Sequence, residues 1–134
     1  MATERKTLLI VDDDNDILEV LSEYFLKHDY DVILAHDGDE AVQLLKYKAI
    51  DLVITDIRMP KMNGLSLLKH IRTQSNSLPV ILMTGYELSR TELSCLSYQA
   101  DAYITKPFTS EYLHNVIKRL ITEGSQIEKR FISR

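Results

Sequence analysis

Short runs of apolar and β-branched residues recur along the chain, separated by segments in which apolar residues follow helical spacing. Each run is about four residues long and continuous rather than alternating, a pattern typical of strands that are buried on both faces. These runs predict five strands, which are Leu8–Val11, Val32–Ala35, Leu52–Thr55, Val80–Met83 and Ala102–Thr105.

The intervening segments predict five amphipathic helices, because their apolar residues recur every three or four positions. The stripes are Ile17/Leu21/Phe25, Ala41/Val42/Leu45, Leu67/Leu68/Ile71, a Ser- and Thr-rich segment around Leu88–Tyr98, and Leu113/Val116/Ile117/Leu120/Ile121. Side chains that can cap a helix precede four of these segments. They are Asp14–Asp16, Asp37 with Glu40, Asn63, and Thr109 or Ser110.

Strict alternation of strands and helices with short connections indicates an α/β domain. The expected architecture is a doubly wound, five-stranded parallel sheet with five helices on its two faces and right-handed crossovers. A chain of 134 residues suits one domain with its own core. We predict that this domain spans residues 6–121, and that the polar stretch 122–134 is a tail or the start of a linker.

Charge changes this picture because it is unevenly distributed. The net charge is −4, but residues 1–56 carry ten Asp and four Glu against five Lys or Arg, a net of −9. An acidic first half argues against direct nucleic-acid binding by this domain. The single cysteine cannot form an internal disulfide, which favours the cytoplasm, and no apolar run is long enough to predict a membrane span.

Acidic residues are concentrated where the predicted strands end. Asp12–Asp14 follow the first strand, Asp56 closes the third, Thr84–Gly85 follow the fourth and Lys106–Pro107 follow the fifth. Because ligands gather at the carboxyl ends of parallel strands, these groups should converge. Two carboxylates ~5 Å apart repel by roughly 3 kcal/mol at an effective dielectric constant of ~20. The cluster therefore retains a proton or binds a cation, and its hard oxygen ligands favour Mg²⁺ or Mn²⁺.

Other interpretations of these residues are weaker. Asp12, Asp14, Asp16 and Glu23 match positions of the EF-hand loop, but Ile17 stands where that loop requires Gly. The dispersed glycines form neither a GxGxxG motif nor a P-loop. A haloacid-dehalogenase-like phosphatase needs a second Asp two residues after its nucleophile, where this chain has an Arg. Helix capping alone would explain an isolated acidic turn, but not one that faces carboxylate and ammonium groups at neighbouring strand ends.

Four motifs together resemble the receiver domain of two-component response regulators. VDDD follows the first strand, TDIRMPKMNG surrounds the third strand's end, and MTGY and ITKPF close the fourth and fifth strands. The resemblance covers about Lys6 to Leu120 and implies a flavodoxin-like (βα)5 fold with strand order 2-1-3-4-5. It also implies a phosphoacceptor in signal transduction rather than an enzyme.

The resemblance assigns roles to the acidic cluster. Asp56 would be phosphorylated, taking the phosphoryl group from a phosphohistidine of a sensor histidine kinase or a histidine phosphotransfer protein. Asp13, Asp56 and the main-chain carbonyl of Arg58 would bind Mg²⁺ directly, with Mn²⁺ as a possible substitute. Asp12 would act on the metal mostly through a bound water.

The remaining roles concern the switch that phosphorylation throws. Lys106 would pair with a phosphoryl oxygen, and its peptide bond to Pro107 would be cis. Tyr103, on the strand before Lys106, would be the aromatic switch residue. The Thr84 hydroxyl would bind another phosphoryl oxygen. The output surface would be the fourth helix, fifth strand and fifth helix, about Leu88 to Ile121, which could contact an output domain, a downstream protein or a second copy of the chain.

Two bulky residues, Arg58 and Tyr86, lie two residues beyond Asp56 and Thr84, at positions where the resemblance implies that family members differ. They would obstruct the approach of water, so slow self-dephosphorylation is expected. The alternative function is a pseudo-receiver, a docking or dimerisation module that works without phosphorylation. The intact acidic cluster and the lysine at the fifth strand's end argue against that alternative.

Overall fold

The computed structural model describes residues 5–85, 88–90, 93–94 and 99–123. Within these residues the chain forms a five-stranded parallel sheet in the order β2-β1-β3-β4-β5, as the sequence predicts. The strands are β1 (Lys6–Val11), β2 (Tyr30–Ala35), β3 (Leu52–Asp56), β4 (Val80–Thr84) and β5 (Ala102–Thr105).

Four complete helices lie within the described residues. They are α1 (Asn15–Lys27), α2 (Gly38–Tyr47), α3 (Gly64–Gln74) and α4 (Ser110–Glu123). The helix predicted around Leu88–Tyr98 falls largely outside the described residues, although Arg90 and Leu93 are helical and the Leu93 amide donates to the Ser89 carbonyl at 2.9 Å.

The sheet separates two apolar layers. Leu8 and Ile10 of β1 pack in the layer beneath α1 and α4, and Leu9 and Val11 pack in the layer beneath α2 and α3. All four side chains are completely buried. This burial on both faces explains why the strands are continuous apolar runs instead of alternating ones.

Side-chain caps begin the helices where the sequence predicts them. Asp14, Asp37 and Asn63 accept from the backbone amides of Asp16, Glu40 and Ser66, respectively. Of the two candidates before the last helix, Thr109 accepts from the Tyr112 amide at 3.0 Å. Each cap satisfies an amide that the first helical turn leaves without a partner.

Strand order positions the functional residues. β1 lies between β2 and β3, so the chain reverses its winding direction at β1, and the crevice beyond such a strand is where ligands bind in open α/β sheets. Among the described residues, no helix is long and apolar enough to cross a membrane.

Candidate functional site at the carboxyl edge of the sheet

Three strand ends bring the predicted charged residues together. Asp12 and Asp13 follow β1, Asp56 is the last residue of β3, and Lys106 follows β5. Each of the three aspartates offers a carboxylate oxygen, and these oxygens lie within 4.8 Å of one another. The Lys106 ammonium lies 2.9 Å from Asp12 Oδ2 and 3.5 Å from Asp56 Oδ1.

Asp12 is completely buried, and both of its carboxylate oxygens have hydrogen-bond donors. Oδ1 accepts from the Asp14 amide at 2.9 Å, and Oδ2 accepts from Lys106. The Asp12 amide donates to the Ala35 carbonyl of β2, which fixes the residue against the neighbouring strand. Asp12 is therefore a rigid anion that holds the ammonium in place.

Asp56 is 8% exposed, and its two carboxylate oxygens differ in their hydrogen bonding. Its Oδ1 accepts from the Ile57 amide at 3.0 Å and lies near Lys106, whereas Oδ2 has no hydrogen-bond donor among the described residues. Burial, with the Asp12 charge as a second cause, raises the pKa of Asp56 to about 6 despite the nearby Lys106. The carboxylate is thus poorly stabilised by the protein alone.

Lys106 is held in its charged form. Burial lowers the pKa of its ammonium, but the hydrogen bond and charge of Asp12 and the charge of Asp56 outweigh burial, so the pKa lies above its ordinary value. The Lys106 amide donates to the Thr84 carbonyl at 2.7 Å, and the Lys106–Pro107 peptide bond is cis. One lysine therefore connects the ends of β4 and β5 to the acidic pair.

The loop between β3 and α3 is fastened directly beneath Asp56. The Gly64 amide donates to the Ile57 carbonyl at 2.8 Å, and a Cβ at position 64 would lie 2.2 Å from the Asp56 carbonyl oxygen. Only glycine permits this approach. In the sequence, the Asn63-Gly64 pair is the local signal for this close approach, in addition to marking the start of a helix.

Asp13 and Arg58 line one cavity of about 470 Å³ beside the cluster, together with Ile57, Met59, Pro60, Asn63 and Leu65. Asp13 is exposed, and its carboxylate has no hydrogen-bond donor within the described ranges. The exposed carboxylate of Asp13 therefore lies beside the two buried carboxyl groups of Asp12 and Asp56.

The predicted switch residues occupy different environments. Thr84 ends β4 and is 1% exposed, and beyond it a Cβ built on Gly85 would meet no heavy atom within 4 Å. Tyr103 of β5 is half-buried and packs against the core layer beneath α2 and α3. Tyr86 lies outside the described residues.

The donor set fits a hard divalent cation. It consists of carboxylate oxygens without histidine or cysteine, as Mg²⁺ prefers. One oxygen of Asp56 and the carboxylate of Asp13 have no donor among the described residues, whereas both oxygens of Asp12 are engaged. Three carboxylates face one ammonium, so a bound cation would reduce an uncompensated negative charge.

Comparison with known proteins assigns a family to this geometry. Residues 8–118 match the family model described as "Response regulator receiver domain". Among curated proteins, the chain is 38% identical over 125 residues to the transcriptional regulatory protein CpxR of Escherichia coli K12, covering 92% of this chain and 52% of CpxR. The chain spans about half the length of the curated relatives it matches.

Solved structures agree with the fold. A CheY-like response regulator receiver domain protein from Methanospirillum hungatei matches with a TM-score of 0.85 at 30% identity, covering 90% of this chain and 96% of that one. TrrA from Thermotoga maritima, solved in complex with Mg²⁺ and BeF, matches with a TM-score of 0.78 at 36% identity, covering 86% and 98%.

Proposed function

The chain belongs to the response regulator receiver domain family, as its motifs indicate, and we propose that Asp56 is its phosphoacceptor. The observation that carries this proposal is the environment of Asp56: a nearly buried carboxylate, one oxygen of which has no donor among the described residues, beside the partly buried ammonium of Lys106. Asp56 supplies the nucleophile and Lys106 supplies the neutralising charge that phosphoryl transfer requires.

The donor is a phosphohistidine of a sensor histidine kinase or a histidine phosphotransfer protein. A carboxylate oxygen of Asp56 attacks the phosphorus, a P–O bond forms, and the P–N bond breaks with its electron pair remaining on the donor imidazole. Lys106, 3.5 Å from Asp56, pairs with a phosphoryl oxygen as negative charge accumulates there. Asp12 positions Lys106 for this role through their 2.9 Å hydrogen bond.

Asp13, Asp56 and the main-chain carbonyl of Arg58 would hold Mg²⁺, with Asp12 acting through water. When bound, Mg²⁺ neutralises charge on the carboxylates and on the phosphoryl oxygens. Asp13 suits direct ligation because its carboxylate has no donor within the described part of the chain. Asp12 suits an indirect role because both of its oxygens are engaged.

Phosphorylation would be transmitted through β4 and β5. Thr84 would move to bind a phosphoryl oxygen, and Tyr103 would turn inward into the space that Thr84 vacates. We assign the output to the 88–121 surface, which takes its name from that residue range and includes β5 and most of α4. This surface would contact a downstream protein or output domain, or a second copy of the chain, while residues 6–121 form the domain.

Beryllofluoride with Mg²⁺, which mimics the phosphoryl group, provides the test. In a ¹H–¹⁵N amide spectrum, the complex should shift the signals of Thr84, Gly85 and Tyr103, and Asp56→Asn should abolish these shifts. Asp39→Asn is the matched control, because Asp39 is an exposed residue in the first turn of α2. It should respond like the wild type.

The same spectrum tests the pseudo-receiver alternative. If the folded wild-type protein shows no shifts at Thr84 and Tyr103 with saturating beryllofluoride and Mg²⁺, phosphorylation is not its signal. A phosphatase, by contrast, would turn over phosphate esters in a manner that Asp56→Asn abolishes, and we expect no such turnover.

A further inference from the structure

The loop between β3 and α3, residues 57–63, is held at a second point besides the one beneath Asp56. Gly38, the first residue of α2, is buried against Met62 of this loop. A Cβ built on Gly38 would lie 2.6 Å from the Met62 carbonyl oxygen and 2.7 Å from the Met62 Cβ. Met62 therefore occupies the space that the side chain of any other residue at position 38 would need.

This contact bears on one wall of the proposed metal site. Arg58 of the same loop lines the cavity beside Asp13, and its main-chain carbonyl is one of the proposed Mg²⁺ ligands. The loop is closed at its base, where the Gly64 amide donates to the Ile57 carbonyl at 2.8 Å. Because the base is fixed, a displacement of Met62 must be taken up by the few residues between, which include Arg58.

An ion pair joins the same two elements but is too exposed to hold the loop. The Lys61 ammonium lies 3.8 Å from Asp37 Oδ2, and the Lys61 side chain is 65% exposed. Exposed ion pairs of this kind contribute little to stability. The close approach of Gly38 to the Met62 backbone, rather than this ion pair, therefore fixes the loop against α2.

We propose that Gly38 is a positioning residue for the Mg²⁺ site: because it has no side chain, α2 packs closely enough against the loop to set the position of the Arg58 carbonyl. This role rests on the Mg²⁺ site proposed above. Gly38 itself contacts neither the metal ligands nor the phosphoryl group, so it acts only through the loop.

The size of the clash supports this role. Carbon–oxygen contacts are ordinarily no shorter than about 3.3 Å, so in Gly38→Ala the new Cβ would push the Met62 carbonyl away by about 0.7 Å. A binding site holds its geometry only while its groups stay within about 0.5 Å of their positions. Mg²⁺ demands near-ideal octahedral geometry, which makes its site especially sensitive to such a shift.

Titration with Mg²⁺ alone, followed by NMR, tests the proposal without a phosphoryl donor. In the wild type, the ¹³C signal of the Arg58 carbonyl should shift as Mg²⁺ binds, and Asp13→Asn should strongly weaken this response. Coupling between two sites is reciprocal, so the Gly38 amide signal should shift in the same titration. In Gly38→Ala, the Mg²⁺ affinity should fall by about tenfold, and the shift of the Arg58 carbonyl at saturation should be smaller.

Two control variants separate positioning from general stability. Lys61→Met removes the exposed ion pair but leaves Gly38 against Met62, so the Mg²⁺ affinity should not change. Val32→Ala removes packing from the opposite apolar layer, beneath α1 and α4, and should lower the stability without changing the Mg²⁺ affinity. An equal loss of affinity in Gly38→Ala and Val32→Ala would overturn the proposal.

The proposal is also overturned if folded Gly38→Ala binds Mg²⁺ as tightly as the wild type. Should Gly38→Ala not fold, Met62→Gly decides the matter from the loop side. It should weaken Mg²⁺ binding by about threefold, because glycine adds backbone freedom to the loop, and unchanged affinity would overturn the proposal. If Mg²⁺ does not shift the Arg58 carbonyl of the wild type, the proposed metal site fails and this role of Gly38 fails with it.

Discussion

Arg72 and Asp101 meet at the amino-terminal edge of the sheet, whereas Asp12, Asp56 and Lys106 meet at the carboxyl edge. The first group is balanced. Arg72 donates to Asp101 at 2.9 Å, to the Gln99 and Leu78 carbonyls at 2.7 Å each, and to the Ser75 carbonyl at 3.3 Å. The same Asp101 oxygen also accepts from the Val80 amide at 2.9 Å.

The carboxyl edge is unbalanced by comparison. Asp12, Asp13 and Asp56 carry three potential negative charges opposite the single ammonium of Lys106. The pKa of Asp56 is raised to about 6, chiefly by burial. In a structural ion pair the two side chains neutralise each other. In a binding site part of the charge is neutralised only when a ligand binds. The two edges therefore differ in whether the protein or a ligand supplies the counter-charge.

Breaking the balanced pair should have the largest effect. Asp101→Ala leaves the Arg72 guanidinium, whose side chain is 9% exposed, without its counter-charge. We expect the free energy of unfolding to fall by about 3 kcal/mol or more. Chemical denaturation measures this loss, with exposed Asp39→Ala as the control. If Asp101→Ala lowers the free energy of unfolding no more than the control does, the Arg72–Asp101 ion pair does not stabilise the fold.

Removing the Lys106 ammonium from the carboxyl edge should act mainly on phosphoryl transfer. Lys106→Met should slow phosphorylation of Asp56 by acetyl phosphate by about a hundredfold, because a preorganised charge is lost where negative charge accumulates. Intact-mass measurement of phosphoprotein over time gives the rate. Lys61→Met is the control, since Lys61 is an exposed lysine on the neighbouring loop. An equal rate in both variants would contradict the role of Lys106.

Replacing Asp56 with a neutral residue should raise the free energy of unfolding of the metal-free protein, whereas Asp101→Ala should lower it. A carboxyl whose folded pKa is raised from 3.8 to about 6 destabilises the fold at pH values above that range. In chelator at pH 7.5, Asp56→Asn should therefore raise the free energy of unfolding by about 2 kcal/mol.

The pH dependence gives this prediction its control. Below about pH 3 the carboxyl is protonated in both states, so the advantage of Asp56→Asn should vanish, and it should be complete above about pH 7. Asp51→Asn should instead destabilise the chain, because Asp51 accepts from the Thr7 amide at 2.7 Å. If Asp56→Asn does not raise the free energy of unfolding, the protein itself already neutralises the charges at the carboxyl edge.

The two edges also differ in how far sequence predicts them. The convergence of Asp12, Asp56 and Lys106 follows from one rule about the carboxyl ends of parallel strands. Their internal geometry does not follow from that rule, and Lys106 proves to be nearer to Asp12 than to Asp56. Such differences arise from side-chain conformations that burial selects.

The amino-terminal edge gave no local signal. Arg72 and Asp101 are 29 positions apart and meet only because α3 packs beside β4 and β5. Likewise, Asp29 and Asp31 form ion pairs with Arg5, which lies 24 and 26 positions earlier in the chain. Asp29 adopts a left-handed backbone conformation with φ of 72°. The strands and the caps were predictable because they depend on near neighbours, although four of the five strands extend one or two residues beyond the predicted apolar runs. Long-range ion pairs depend instead on strand order.

The smallest expected effect concerns access to the unbalanced edge. Arg58 lines the cavity beside Asp13, two residues beyond Asp56, where an attacking water would pass. Arg58→Asn should speed loss of the phosphoryl group by up to about tenfold, a barrier change of roughly 1.4 kcal/mol, while Arg58→Lys should retain slow loss because it keeps length and charge. Tyr86→Glu should likewise speed the loss. If neither Arg58→Asn nor Tyr86→Glu speeds the loss, bulk at these positions does not shield the phosphoryl group, and its lifetime is set by the charged residues themselves.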